Sequence, residues 1–257
     1  MNNVQFIPSA IEAGDCISGA WEMLKRNYGM FLGVSLLAYV MIACIPCLNV
    51  LILGPVMGGV YYVALRDMRG EPVDFGMMFK GFEKFVPLMV IGLIQSIPGI
   101  IAQILQYVFQ FSSAILDSRR GSNIEIFQGS GSDFALSTGM AILLIVVALV
   151  IMVLGILWWA AFFCAVPLAM EHDLGAIDAL KLSAQAGMNN IGGLLLLIIL
   201  EALVMMVGVL MICIGMFLVS IPIMFLANAF AYRQIFPYVG RQLNMSPPPP
   251  TAYGNFE

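Results

Sequence analysis

Apolar residues dominate six stretches of the chain, at about 28–48, 50–65, 85–111, 138–168, 191–212 and 216–236, and most polar residues gather between them. Runs near 20 apolar residues match the hydrocarbon thickness of a bilayer, so each reads as a transmembrane helix. The short alternating segments of a membrane β-barrel are missing. The pattern predicts an all-α integral membrane protein: an N-terminal segment over 1–27, one six-span membrane domain over 28–236, and a Pro-rich tail over 237–257. The connections 45–50 and 212–216 are tight and uncharged, 66–84 and 169–190 are longer and polar, and 112–137 is long and rich in Gly and Ser. The run 138–170 is long enough to divide near Gly155 into two spans. Gly155 has no polar neighbours to form a loop, so the expectation stays at six.

Three segments ahead of spans show helical amphipathic spacing. In the first, Ser9 and Glu12 make a capping-box pattern. Ala13, Ile17, Ala20 and Leu24 then share one face, opposite Glu12, Asp15, Gly19, Glu22 and Arg26. In the second, Phe75, Met78, Phe79 and Phe82 oppose Lys80, Glu83 and Lys84. In the third, Ile177, Leu180, Ala184 and Met188 oppose Asp178, Lys181, Gln185 and Asn189. Beside a membrane span, such helices are expected to lie in the cytoplasmic interface. The plainer alternative is ordinary loop helices packed on the bundle.

Composition sharpens the class. The 257 residues are 61% hydrophobic and 10% charged, against about 25% charged in an average soluble domain. One soluble core cannot hide that much apolar surface, so lipid must cover the rest and is the first partner expected. The net charge of −4 comes with no basic patch large enough for nucleic acid. The first ten residues lack a basic stretch followed by an apolar core, so insertion is expected to rely on the first membrane helix. With six spans, Lys25, Arg26, Arg66, Arg69, Lys80, Lys84, Lys181, Arg233 and Arg241 fall on one side, and only Arg119 and Arg120 on the other. That asymmetry puts both termini in the cytoplasm.

Internal similarity points the same way. AWEMLKRNYGMFLG (20–33) resembles ALKLSAQAGMNNIGG (179–193), and GPVMGGVYYVALRDM (54–68) resembles IPIMFLANAFAYRQI (221–235). FKGFEKFVPLMVIG (79–92) and AVPLAMEHD (165–173) fit as a third entry and exit. The chain reads as three units of interfacial helix, span and span. At GPVMGGVYYVALRDMRGEPVDFGMMFKGFEKFVPL, and again at LGILWWAAFFCAVPLAMEHD, AIDALKLSAQ and IPIMFLANAFAYRQIF, it resembles a broad family of uncharacterised bacterial integral membrane proteins. These are similar to the membrane domain attached to some glycerophosphodiester phosphodiesterases. The resemblance covers most of 20–236 and implies the bacterial inner membrane. The polar insertion around 112–137 departs from it. No phosphodiesterase domain is present, so that activity does not carry over.

Candidate chemistry is sparse. Cys44 and Cys47, in CIPC, have redox spacing but no visible low-pKa setting, and read as small apolar residues around a helix-ending Pro or as a disulfide on an oxidising face. With one His among 257 residues, a metal site has little support, and no cofactor is expected. His172 sits at a cytoplasmic helix end, where it reads as a solvated loop residue or a pH sensor. The RDMRGEP loop, with Arg66, Arg69 and Glu71, fixes topology or binds lipid headgroups. The MSPPPPTAYGNFE tail reads as extended, either disordered or docking a partner. Gln103, Gln106, Gln110, Ser113 and Asp117 form one polar stripe, either the wet part of a hairpin rising above the outer face or a partner-binding surface.

Glu201 is the exception inside an apolar run. Starting from Ile191 at the cytoplasmic face, ten residues at about 1.5 Å each put it roughly 15 Å deep. Similar counts bring Gln95, Asn228, Trp158 and Trp159 to that level. No Lys or Arg reaches this layer, so a neutral carboxyl bonded to an amide oxygen is expected, structural or else binding a solute or proton. No HExxH, GxSxG or paired intramembrane aspartates occur. The function expected is therefore non-enzymatic: an accessory or scaffold component of a membrane assembly, with a membrane-protein partner or as a homo-oligomer. The alternative is a small-solute or lipid transporter with a midplane polar site around Glu201.

Overall fold

The computed structural model describes residues 6–44, 49–120, 131–211 and 215–237. All regular structure among them is helical: α1 (Ala13–Arg26), α2 (Tyr28–Cys44), α3 (Asn49–Met68), a 3₁₀ run (Phe75–Lys84), α4 (Phe85–Arg120), α5 (Gly131–Phe162), α6 (Ala165–His172), α7 (Ala176–Asn189), α8 (Ile191–Leu210), a π-turn (Met216–Ser220) and α9 (Ile221–Ile235). A chain this apolar has no water to satisfy its backbone, and helices satisfy it internally. Five stretches are long and apolar enough to cross a membrane. A sixth is added if α1 and α2, bent by 109° at their junction, are taken together. α2 alone has 17 residues, about 25 Å of rise.

Prolines set the irregularities. Proline lacks an N–H and crowds the carbonyl four residues earlier, so that carbonyl needs another donor. In α4, Pro98 frees the carbonyl of Ile94, and Trp158 Nε1 donates to it at 3.0 Å. In α9, Pro222 frees Leu218, whose carbonyl accepts from the Tyr28 hydroxyl at 3.2 Å. Pro167 breaks the expected fourth span at Phe163–Cys164, separating α5 from α6. There the buried Ser183 of α7 donates to Ala161 O at 2.8 Å and accepts from Cys164 N at 3.0 Å. Gln95 closes the same gap, donating to Phe162 O at 2.6 Å. The helix runs unbroken through Gly155, where the division was weighed.

Each segment that precedes a span packs on the outgoing helix of its neighbour. The 3₁₀ run lies on α3, α7 on α5 and α6, and α1 on α9. Glycines allow two of these contacts. A methyl group at Gly59 would meet Met78 O at 1.8 Å, and one at Gly187 would meet Ala160 O at 2.0 Å. The ring closes through residues 6–12. Ile7 N donates to Ile235 O, Ala10 N to Asn190 Oδ1 and Glu12 N to Gln234 Oε1, at 2.8–2.9 Å.

Several expectations change here. The Ser9–Glu12 capping box does not form, because Glu12 itself is the N-cap and makes no side-chain bond, while Ser9 sits in a left-handed turn (φ 52°). The second amphipathic segment is 3₁₀ rather than α, opened by Asp74 accepting from Gly76 N. The apolar face of α1 is covered by protein: Ala13, Cys16, Ala20, Met23 and Leu24 are buried. α7 buries Ala179, Leu180, Ser183, Ala186 and Gly187, leaving Ile177 and Met188 exposed, so small residues choose its buried face. The third and fourth spans also extend past 111 and start before 138, as α4 and α5.

Candidate functional site

Four of the five residues placed at mid-depth line one cavity. Its volume is about 460 Å³ and its walls come from α2 (Tyr39), α3 (Leu53, Met57, Tyr61), α4 (Gln95), α5 and the joint after it (Trp158, Trp159, Phe163), α6 (Val166), α8 (Met205) and α9 (Asn228 with its neighbours). The polar groups among these walls are few, and three of them are already occupied. Trp158 N–H and the Gln95 amide N–H are used to satisfy the carbonyls freed around Pro98 and the α5–α6 break. Asn228 Nδ2 donates back to Met224 O at 2.9 Å, while its Oδ1 is buried with no donor. An acceptor in that condition costs about 1–3 kcal/mol unless something supplies a proton to it. Apart from the Tyr39 and Tyr61 hydroxyls and the Trp159 N–H, the remainder is aromatic, aliphatic and thioether surface, with edge-on pairs such as Trp158–Phe162, whose centroids are 5.0 Å apart, beside it.

Glu201 is placed elsewhere. It is 5% exposed on α8 and is not one of the cavity's lining residues. It lies within electrostatic reach of Tyr61, which does line the cavity, and of Cys16 on α1. Its Oε1 has no hydrogen-bond partner, so the expected bond from its carboxyl to a neighbouring amide is not made through that oxygen. Gln103, Gln106 and Gln110 are remote from the cavity, on an exposed part of α4, with Gln103 Nε2 donating to Tyr107 OH at 3.4 Å. Cys47 lies outside the described residues, as does the side chain of Cys44. The 121–130 part of the long loop and the tail beyond 237 are also outside them.

The sequence reading missed the other walls. Tyr39, Met57, Tyr61, Met205 and Met224 are ordinary apolar-run residues that no depth count singled out. It also missed a carboxylate hub. Glu171 at the end of α6 accepts from Arg69 and Arg233, each at 2.9 Å, and from the Tyr232 hydroxyl at 2.8 Å. Three helix ends, of α3, α6 and α9, are thereby tied at one end of the bundle. His172 stands 3.9 Å from the same carboxylate. Nearby, Asp67 holds Arg26 and Asn27, Arg66 pairs with Glu71 at 3.0 Å, and Lys84 donates to the last carbonyls of α6 and pairs with Asp173. The arginines read as possible headgroup ligands are thus held by carboxylates of the chain.

Long apolar helices around a mostly apolar cavity, with ion pairs collected at one end, define a multi-pass membrane protein. Comparison with protein-family models, with curated proteins and with solved structures finds no match.

Proposed function

We propose that this chain is a membrane-embedded binding protein that holds a small, mostly apolar molecule between its spans and carries it as a transporter. The cavity carries this reading. Its volume of about 460 Å³ falls in the range of small-molecule sites, roughly 300–1,000 Å³, which are mostly apolar with a few placed polar groups. The undonated Asn228 Oδ1 suits a ligand with one hydroxyl or amine beside an apolar body, chemistry shared by lipids and hydrophobic solutes. The three-unit repeat belongs to the same proposal, supported by the cyclic packing of α1 on α9, the 3₁₀ run on α3 and α7 on α5. So does kinship with the bacterial membrane family resembled at GPVMGG, where Gly54 and Gly59 permit equally close backbone approaches. An inner-membrane location with cytoplasmic termini is supported by the basic residues gathered at the Glu171 end. Interfacial insertion is supported by exposed Trp21, Tyr28, Phe75 and Phe79.

The test is Met57→Trp, which fills the cavity from α3. Wild-type protein from native membranes should carry a co-purifying apolar molecule visible by mass spectrometry, and should take it up into liposomes. The variant, folded by circular dichroism, should lose at least about tenfold of both. Equal small-molecule content in the two proteins, with no uptake by either, would sink the proposal. A second reading, a non-enzymatic accessory or scaffold component, is favoured by exposed Ile104, Tyr107 and Phe111 of α4 and Val147, Val150 and Leu154 of α5. Comigration with a fixed partner protein supports that one.

A further inference from the structure

The cavity is walled by aromatic rings to an extent that an apolar lining alone does not require. Tyr39, Tyr61, Trp158, Trp159, Phe163 and Phe225 all line it. Tyr61 and Phe163 are buried, while Tyr39 is exposed. Trp159 and Phe163 pack with centroids 5.0 Å apart and planes tilted by 58°, which fixes both rings. Among the described residues no Lys, Arg or His lines this space. The ionisable groups within electrostatic reach of Tyr61 are Glu201 and Cys164, and a carboxyl or a thiol carries negative charge or none. The basic residues at the neighbouring helix ends, Arg66, Arg69 and Arg233, lie more than one turn beyond Tyr61 and Asn228. They are held there by Glu71 and Glu171.

An aromatic ring is negative on its face and positive at its edge, so ring faces attract a cation within about 6 Å of their centroids. The attraction is strongest for tryptophan and grows when the cation is stripped of water, as it is between membrane spans. A buried charge without compensation is expensive, so an apolar cavity ordinarily refuses a cation. Here two things replace the lost water. The rings surround the charge, and an ammonium N–H supplies the proton that the buried Asn228 Oδ1 lacks. A neutral alcohol would satisfy that oxygen and leave the rings unused, and an anion would meet ring faces of its own sign. Resting on the reading of this cavity as a ligand site, we propose that its ligand is an organic cation: a protonated amine on a compact apolar body, its charge held among the rings and its N–H donated to Asn228 Oδ1.

The test compares adamantylamine, a cation at neutral pH, with adamantanol, which has the same body and also donates a hydrogen bond but is neutral. Equilibrium dialysis against the full chain in lipid nanodiscs, with binding to empty nanodiscs subtracted, should give the amine at least about tenfold higher affinity. Met57→Trp should remove binding of both. Trp159→Leu keeps an apolar wall and deletes a ring. It should weaken the amine at least about fivefold and leave the alcohol unchanged, which also shows that the variant is folded. Phe225→Leu is a second such variant, expected to act in the same sense. Equal affinities for the two compounds, or folded ring variants that weaken both alike, overturn the cation assignment and leave a ligand cavity in place. Amine binding that survives Met57→Trp overturns it by putting the cation elsewhere. Binding of neither compound also overturns it; the cavity reading is judged separately, by the molecule that co-purifies with wild-type protein and is lost in Met57→Trp.

Discussion

Single side chains in this molecule mostly repair backbone. Ser183 is the clearest case, because one hydroxyl serves two groups of the α5–α6 break. Ser183→Ala should leave both the Cys164 N–H and the Ala161 carbonyl buried without partners. A loss of about 1–3 kcal/mol is expected, read as a lower melting temperature in detergent; an unchanged melting temperature would refute the repair role. Trp158 shows the same principle with a different outcome for function, since its N–H is spent on Ile94 O and only its ring faces the cavity. Glu201 stands behind this wall rather than on it. Glu201→Gln keeps the size and the polarity of a neutral carboxyl, so the variant is expected to fold normally and keep the bound molecule. A folded protein that has lost uptake would instead make Glu201 part of a proton-coupled step.

Among the elements, the segments ahead of the spans do more than lie on a surface. α1, the 3₁₀ run and α7 each bring small residues against a neighbouring helix, while some of their larger apolar side chains, Trp21, Phe75, Phe79, Ile177 and Met188, remain outside. Phe75 and Phe79 of the 3₁₀ run stay exposed although Met78 between them is fully buried. Exposed aromatic rings next to Lys80 and Lys84 suit the headgroup boundary. Phe79→Trp in the whole protein should therefore add a fluorescence component quenched by lipids brominated near the headgroup. Quenching by aqueous iodide instead would show that the ring faces water. Met78 O approaches Gly59 closely enough to exclude even a methyl group there, so glycine on α3 is what admits the 3₁₀ run.

For the whole molecule, charge is separated from lipid-facing surface. The Glu171 hub, Asp67 with Arg26, and Lys84 with Asp173 gather ends of α3, α6 and α9 with the start of α2 and α4. The orientation proposed for this end, facing the cytoplasm, makes a simple expectation for the long loop. A cysteine placed at Ser130, outside the described residues, should react with an impermeant reagent added to intact cells. Protection there, with labelling of the C-terminal tail, would reverse the orientation.

Helical class and candidate spans were legible in the chain itself, because a bilayer demands length and apolarity and both are properties of consecutive residues. Depth was partly legible for the same reason: rise per residue is constant, so counting brings Gln95, Trp158, Trp159 and Asn228 to one level. Azimuth was not. Which way a side chain points depends on helix rotation, and rotation is set by packing that consecutive spacing does not encode. That is why Glu201, at the counted depth, is absent from the cavity wall while Met57 and Met205 are on it. The repairs at Pro98, Pro167 and Pro222 were likewise invisible, since each joins residues distant in sequence. The position of a proline announces a freed carbonyl; only the tertiary structure decides which side chain reaches it.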